Sequence, residues 1–368
     1  MTKRQSNFEL LRIVAMLMIV FFHFSVHGEN AFISDNVSFN EVWANILGFG
    51  GKLGVNIFVF ISGYFMIESE NTKPSKVINM WLQLFFYSVV CFIAAIIFFP
   101  QGEYELGMKS IIKAAFPVSY SSWWFATQYI ILYIFSPYLN KLLKQLNKRE
   151  YINFLAIATV ILSILAFILP ESIYNDSDFA TFIYLYSIAG YIKLWSEKDN
   201  NAGIKMPLIV FVISLTVTIL SVICLSLLGN YVSFAREHPH YFIKSCSPNI
   251  IICSVSLFLL FKRMNIPQNK LINTISKTTF GIYLIHDNDY IRHILWKYIF
   301  NNSEYLDKNY FIIYSLVVPI IIFAVCSVIE LIRDILFSKV NIKFSKWLES
   351  VVIKVKERLL SIVLKDNV

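Results

Sequence analysis

The residues Phe8 to His27, FELLRIVAMLMIVFFHFSVH, constrain this chain more than any other stretch. An apolar run of this length fits a helix that crosses a bilayer. It is interrupted by Arg12 and His23, eleven positions apart. That spacing is close to three helical turns, so both side chains leave the helix on one side at heights about 16 Å apart. Ionisable groups inside a membrane span are costly, and they face a bundle interior or a wet cavity where they carry function. Arg12 therefore reads as an anchor near the inner surface, and His23 as the reactive group deeper in.

The remainder of the chain agrees with a membrane setting. It is 57% hydrophobic and 15% charged over 368 residues, a balance typical of multi-span proteins. Ten apolar segments stand out, at 8–27, 48–68, 79–99, 121–140, 152–170, 178–195, 206–228, 243–261, 279–300 and 310–336. Lys and Arg gather in alternate connections. One side holds Lys3 and Arg4, Lys73 and Lys76, Lys141 to Arg149, Lys198 and Lys205, Lys262 to Lys277, and the C-terminal tail. The other side holds only Lys109, Lys113, Arg236 and Lys308. By the positive-inside rule this predicts an all-α polytopic membrane helix bundle of about ten transmembrane helices, both termini cytoplasmic.

The net charge of +8 is thereby spent on orientation in short loops, and no nucleic acid is expected as a partner. The first apolar run is too long for a cleaved leader and lacks a small-residue cleavage site. Five cysteines, Cys91, Cys224, Cys246, Cys253 and Cys326, show neither metal nor redox spacing; free thiols are expected, with no metal site. No internal repeat or low-complexity linker divides the chain. Residues 337–368 carry Phe344, Trp347, Leu348, Val351, Val352 and Val355 among Lys346, Lys354, Lys356 and Arg358. This reads as a basic amphipathic cytoplasmic tail on anionic lipid, following a membrane domain at 1–336.

The Arg–ten residues–His pattern after FELL resembles the acyltransferase-3 family of integral-membrane acyltransferases. Further blocks are similar to that family: GVNIFVFISGYFM at Gly54 to Met66, WWFATQYIILYIFSPYL at Trp123 to Leu139, and TFGIYLIH at Thr279 to His286. The resemblance implies acyl transfer, most often acetyl, from cytoplasmic acyl-CoA (acetyl-CoA as donor substrate, no cofactor bound permanently). The implied acceptor is a hydroxyl of a cell-surface polysaccharide or lipid-linked sugar, at a bacterial plasma membrane. Some relatives carry an additional extracytoplasmic hydrolase-like domain. This chain is too short for one, so the membrane domain is expected to act alone or with separate proteins.

On this reading Arg12 holds the coenzyme head, because a guanidinium stays charged and binds oxyanions bidentately. Glu9, three residues earlier, is placed to orient it. Burial favours a neutral imidazole, so His23 is the expected general base. Asn56 and Gln128, amides inside the second and fourth segments, are expected near its level, to hold the acceptor, orient His23 or donate to the oxyanion. Relatives often carry an acid where Asn56 stands. Ser62 belongs to a small-residue packing pair that also suits contact with the coenzyme arm. Lys73 and Lys76 stand where many relatives have an Arg-rich pair, and supply charge without the fork.

His27 is expected to be interfacial, and Trp123 and Trp124 to form an aromatic belt. The ninth segment is dense with His286, Asp287, Asn288, Asp289, Arg292 and His293. Such a run cannot face lipid, and His286 is expected to line the acceptor path or support the centre. The competing class is a non-enzymatic transporter or flippase with Arg12 and His23 on its path.

Overall fold

A computed structural model describes residues 4–27, 37–98, 107–168, 179–196 and 203–365. All regular structure in them is helical, with no strand among the described residues. In chain order the helices begin with α1 (Ser6–His27), α2 (Phe39–Leu47), α3 (Gly50–Met66), α4 (Pro74–Phe98), α5 (Met108–Ala115) and α6 (Trp124–Gln145). Next is α7 (Lys148–Thr159), which passes through a π-helical turn, Val160–Leu165, into the short α8 (Ala166–Ile168). Then follow α9 (Phe179–Trp195), α10 (Lys205–Leu228), α11 (Ser233–Glu237), α12 (Pro248–Arg263) and α13 (Lys270–His286). After α14 (Asp289–His293) a second π segment, Ile294–Ile299, leads to α15 (Asn302–Tyr305) and α16 (Phe311–Lys365).

Six of these stretches are long and apolar enough to cross a membrane: Ser6–His27, Phe39–Met66, Pro74–Phe98, Lys148–Ile168, Lys205–Leu228 and Phe311–Val355. The other four apolar segments also fall on helices. Of these, α9, α12 and α13 have only 17, 16 and 17 residues, and α6 ends in a turn bearing Lys141 and Lys144.

Helix α1 lies at the centre, against α3 on one side and α13 on the other, with Leu11, Ala15, Val20 and Phe24 fully buried. Its approach to α3 depends on glycine. A Cβ at Gly54 would stand 2.6 Å from the Ala15 carbonyl oxygen and 2.8 Å from Ile19 Cγ1, closer than atoms can pack. Small residues let helix backbones meet where no water drives them together. The outer helices show the reverse pattern, with Ile96 and Ile97 on α4, Ile213 and Val217 on α10, and Ile313 and Ile320 on α16 all exposed. Exposed apolar ridges of this extent suit lipid.

Two boundaries differ from the sequence reading. The expected span 279–300 is not one helix: α13 begins at Lys270 and ends at His286. Asn288 then accepts the backbone N–H groups of Tyr290 and Ile291 at 3.0 and 3.4 Å, capping a new helix. An Asn side chain that takes backbone donors breaks one helix and starts the next. The limit expected at 336 falls inside α16, which runs unbroken to Lys365 because residues 320–365 contain no Gly or Pro. Lys3 and Lys198, the connections 28–36 and 171–177, and the span ends at 99 and 170 lie outside the described residues.

Candidate active site

Arg12, Met16, Ile19, His23 and His27 recur at four- and three-residue intervals, and so share one face of α1. That face lines a cavity of about 580 Å³, a size usual for small-molecule sites. Helix α3 contributes Gly51, Lys52, Val55, Phe58 and Ser62 to the opposite wall. Helix α13 closes a third side with Ser276, Phe280, Tyr283 and, just past its end, Asp287, while Trp124, Phe125 and Tyr129 of α6 complete the wall. Arg12 and His23 therefore open into one space.

The arginine end is organised by Glu9, which is 6% exposed. Its Oε1 accepts from Arg12 Nη1 at 3.0 Å, and its Oε2 lies 3.4 Å from Arg4 Nη1. The Ser276 hydroxyl donates to the same Oε2. One buried carboxylate thus aligns two guanidinium groups, and Arg4, Arg12 and Lys277 all line the cavity. Arg12 keeps 29% of its side chain exposed, so its fork is partly free of Glu9. Several cations converging on one mouth suit an oxyanion ligand.

The histidine end is more tightly enclosed. His23 Nδ1 lies 2.8 Å from His286 Nε2, and His286 Nδ1 lies 2.6 Å from the Ile282 carbonyl one turn earlier. His286 is fully buried. Asp287 Oδ1 stands 3.7 Å from His23 Nε2, 3.6 Å from His27 Nε2 and 3.3 Å from Arg292 Nη1. Arg292 also grips Asp289 at 2.8 Å, which Lys113 meets at 3.0 Å. Asp287 still holds the helical position, its backbone N–H donating to the Tyr283 carbonyl at 3.1 Å, so the end of α13 presents His286 and Asp287 to α1 together. His23, His27 and Asp287 bring three nitrogen and oxygen atoms within 4.8 Å of one another. The Arg292 guanidinium beside that carboxylate oxygen already supplies positive charge there.

The other residues singled out from sequence fall in different places. Asn56 is fully buried on α3 but donates to the Ser245 carbonyl at 2.8 Å and to Ser254 Oγ at 3.2 Å, away from the cavity. Gln128 sits half-buried beside Tyr129 and is not among the lining residues. Ser62 does line the wall; its hydroxyl donates to the Phe58 carbonyl at 2.8 Å and lies 3.1 Å from Tyr129 Oη. Lys73 and Lys76 stand at the start of α4, away from the lining. The Lys73 backbone N–H donates to the Tyr133 hydroxyl at 3.1 Å, and the Lys76 ammonium lies 5.7 Å from the centre of the same ring. Of the two tryptophans, Trp123 is 1% exposed and Trp124 lines the cavity.

Lys52 and Tyr129 escaped the sequence reading, whereas Tyr283 lies with His286 in the polar segment expected to line a cavity. Lys52, whose ammonium is 5.2 Å from the Trp124 ring centre, sits inside an apolar segment that a census of loops passes over. It was detectable as a cation inside an apolar segment. Tyr129 carried no signal beyond being polar at one tip. Tyr283 is 5% exposed; its hydroxyl oxygen lies by the Phe125 backbone N–H, and its own O–H meets no acceptor among the described residues.

The bundle of apolar helices thus encloses a chamber with guanidinium groups at one end and paired imidazoles at the other. The family model described as an acyltransferase domain, that of the acyltransferase-3 family, matches residues 5–331. The chain belongs to that family and is a membrane acyltransferase. No curated protein matches the chain. No solved structure matches it either.

Proposed function

We propose that the protein moves an acyl group, acetyl in the simplest case, from acyl-CoA to a hydroxyl of a cell-surface polysaccharide or lipid-linked sugar. The observation that carries this reading is the shared cavity, which Arg12 and His23 both line. The spacing of those residues, about 16 Å along the helix, suits a donor with a polyanionic head and a long thin arm. The head lies against Arg12, Arg4 and Lys277, and the arm passes between Met16, Ile19, Phe58 and Ser62 toward His23. Both termini are cytoplasmic and about ten helices span a bacterial plasma membrane, so the head faces the compartment that supplies the coenzyme.

His23 Nε2 removes the proton of the acceptor hydroxyl, and the oxygen attacks the thioester carbonyl carbon. The tetrahedral oxyanion takes a hydrogen bond from the Tyr283 hydroxyl, whose O–H meets no acceptor among the described residues. Collapse breaks the carbon–sulfur bond, and the departing thiolate recovers the proton from His23. The products are an ester and free coenzyme thiol. Asp287, held by Arg292, lies beside the imidazolium while it lasts.

Purified protein given acetyl-CoA and a hydroxyl-bearing glycan should release thiol in step with ester, read by a thiol reagent and by mass spectrometry. His23→Ala should lower that rate by about 10²–10⁴-fold while the unfolding midpoint stays put. Turnover unchanged in His23→Ala removes His23 from the base role. Glycan movement without thiol release would make the protein a flippase.

A further inference from the structure

Acyl transfer needs a lone pair on the cavity side of His23, and an imidazole has a lone pair on only one of its two nitrogens. Which one is settled by what the other nitrogen bonds. Here the chain of contacts ends on an atom with no ambiguity. The Ile282 carbonyl, 2.6 Å from His286 Nδ1, can only accept. His286 Nδ1 therefore carries a proton. In a neutral ring the lone pair is then on His286 Nε2, which lies 2.8 Å from His23 Nδ1. That contact requires a proton between the two nitrogens, and it must belong to His23 Nδ1. The lone pair of His23 is left on Nε2, the atom nearest Asp287 at 3.7 Å.

We propose that His286 is a positioning residue which, by relaying the Ile282 carbonyl's demand for a proton, fixes His23 in the Nδ1–H tautomer and so creates the base. Burial favours the relay: His286 is fully buried and His23 is 8% exposed. The relay also opposes a specific alternative. Asp287 is an acceptor 3.7 Å from Nε2, and with no acceptor at Nδ1 its carboxylate would draw the proton to Nε2 and abolish the base. The two neighbours pull the same proton in opposite directions, and the shorter contact, 2.8 Å, belongs to His286. This deepens the acyl-transfer reading and rests on it for its consequence, but not for its measurement.

The measurement is the nitrogen NMR spectrum of protein labelled with ¹⁵N in its histidine rings, held in lipid nanodiscs with no donor or acceptor added. The wild-type protein should show both His23 and His286 as neutral rings protonated at Nδ1, assigned by comparison with His23→Ala and His286→Ala. In His286→Ala, His23 should change to the Nε2–H form, and kcat should fall by about 10²–10⁴-fold with the KM for acetyl-CoA unchanged. His286→Gln places an amide oxygen where Nε2 stood; it should restore the Nδ1–H tautomer and most of kcat. A wild-type His23 protonated at Nε2, or an imidazolium signal from His286, overturns the proposal. So does a His286→Gln variant as slow as His286→Ala while showing the wild-type His23 tautomer. If no thiol is ever released, acyl transfer fails and the tautomer result still stands.

Discussion

Two of the buried ionic clusters in this bundle, around Glu330 and around Asp287, follow opposite rules. On α16, Glu330 accepts from Gln83 Nε2 at 2.9 Å, the Tyr87 hydroxyl at 2.6 Å, and Arg333 Nε and Nη2 at 2.8 and 2.7 Å. Four donors match the lone-pair sites of a carboxylate, and none of these residues lines the cavity. Asp287 is met by three groups at 3.3 to 3.7 Å and opens onto the cavity. Those contacts are longer than the roughly 2.7–2.9 Å of a strong charge-assisted bond. The saturated cluster ties α4 to α16, and α13 passes close by at Gly281, where any side chain would run into the Glu330 carboxylate. The looser cluster holds charge in reserve beside His23. Burial alone does not mark a functional ion; unfilled coordination facing a cavity does.

Breaking the saturated cluster should have the largest effect on the fold. Glu330→Ala strands the Arg333 guanidinium, and the expected loss is about 3–5 kcal/mol of stability. It is read from the unfolding midpoint in detergent, with activity per folded molecule retained. A midpoint equal to wild type would erase the contrast between the clusters. Tyr283→Phe should do the reverse, lowering kcat by about 10²–10³-fold while the midpoint holds. Arg12→Lys keeps the charge beside Glu9 but loses the fork, so the KM for acetyl-CoA should rise about tenfold with kcat retained. An unchanged KM would move the coenzyme head away from this end.

The smallest effect lies outside both clusters, in the loop before α12. There the His240 imidazole donates from Nε2 to the Asn45 carbonyl at 2.8 Å. Burial holds its pKa below the usual histidine value. The unfolded chain therefore binds the proton first, and stability should be full above about pH 6.5 and decline as the pH falls below it. His240→Gln should flatten that slope, measured as the unfolding midpoint against pH.

Much of this was legible beforehand. The apolar segments all fall on helices, and the stripe from Arg12 to His23 follows from the 3.6-residue period. The Glu9–Arg12 pair follows from its three-residue spacing. Asn56 and Gln128 show where such reading stops. Each lies one position from a cavity-lining neighbour, Val55 and Tyr129, and one position is about 100° of rotation. Depth along the helix is a matter of counting, whereas facing is not. Glu330 and Arg333 gave no warning, because a Glu–Arg pair near a helix end reads as an ordinary surface pair until α4 is laid across it.

Periodicity, apolar length and charge content are local properties, and from them the sequence by itself determined a helical membrane protein with a guanidinium and an imidazole on one face of its first helix. Only the tertiary structure decided what that face looks at. Helix α13 ends at His286, where Asn288 caps the next turn, and the packing of α13 on α1 places Asp287 against His23. Lys52, Tyr129 and Tyr283 reach the cavity because glycines bring α3 close to α1 and because α6 and α13 close the remaining sides. Which side chains share a space depends on contacts between residues far apart in the chain, and no local pattern encodes those contacts.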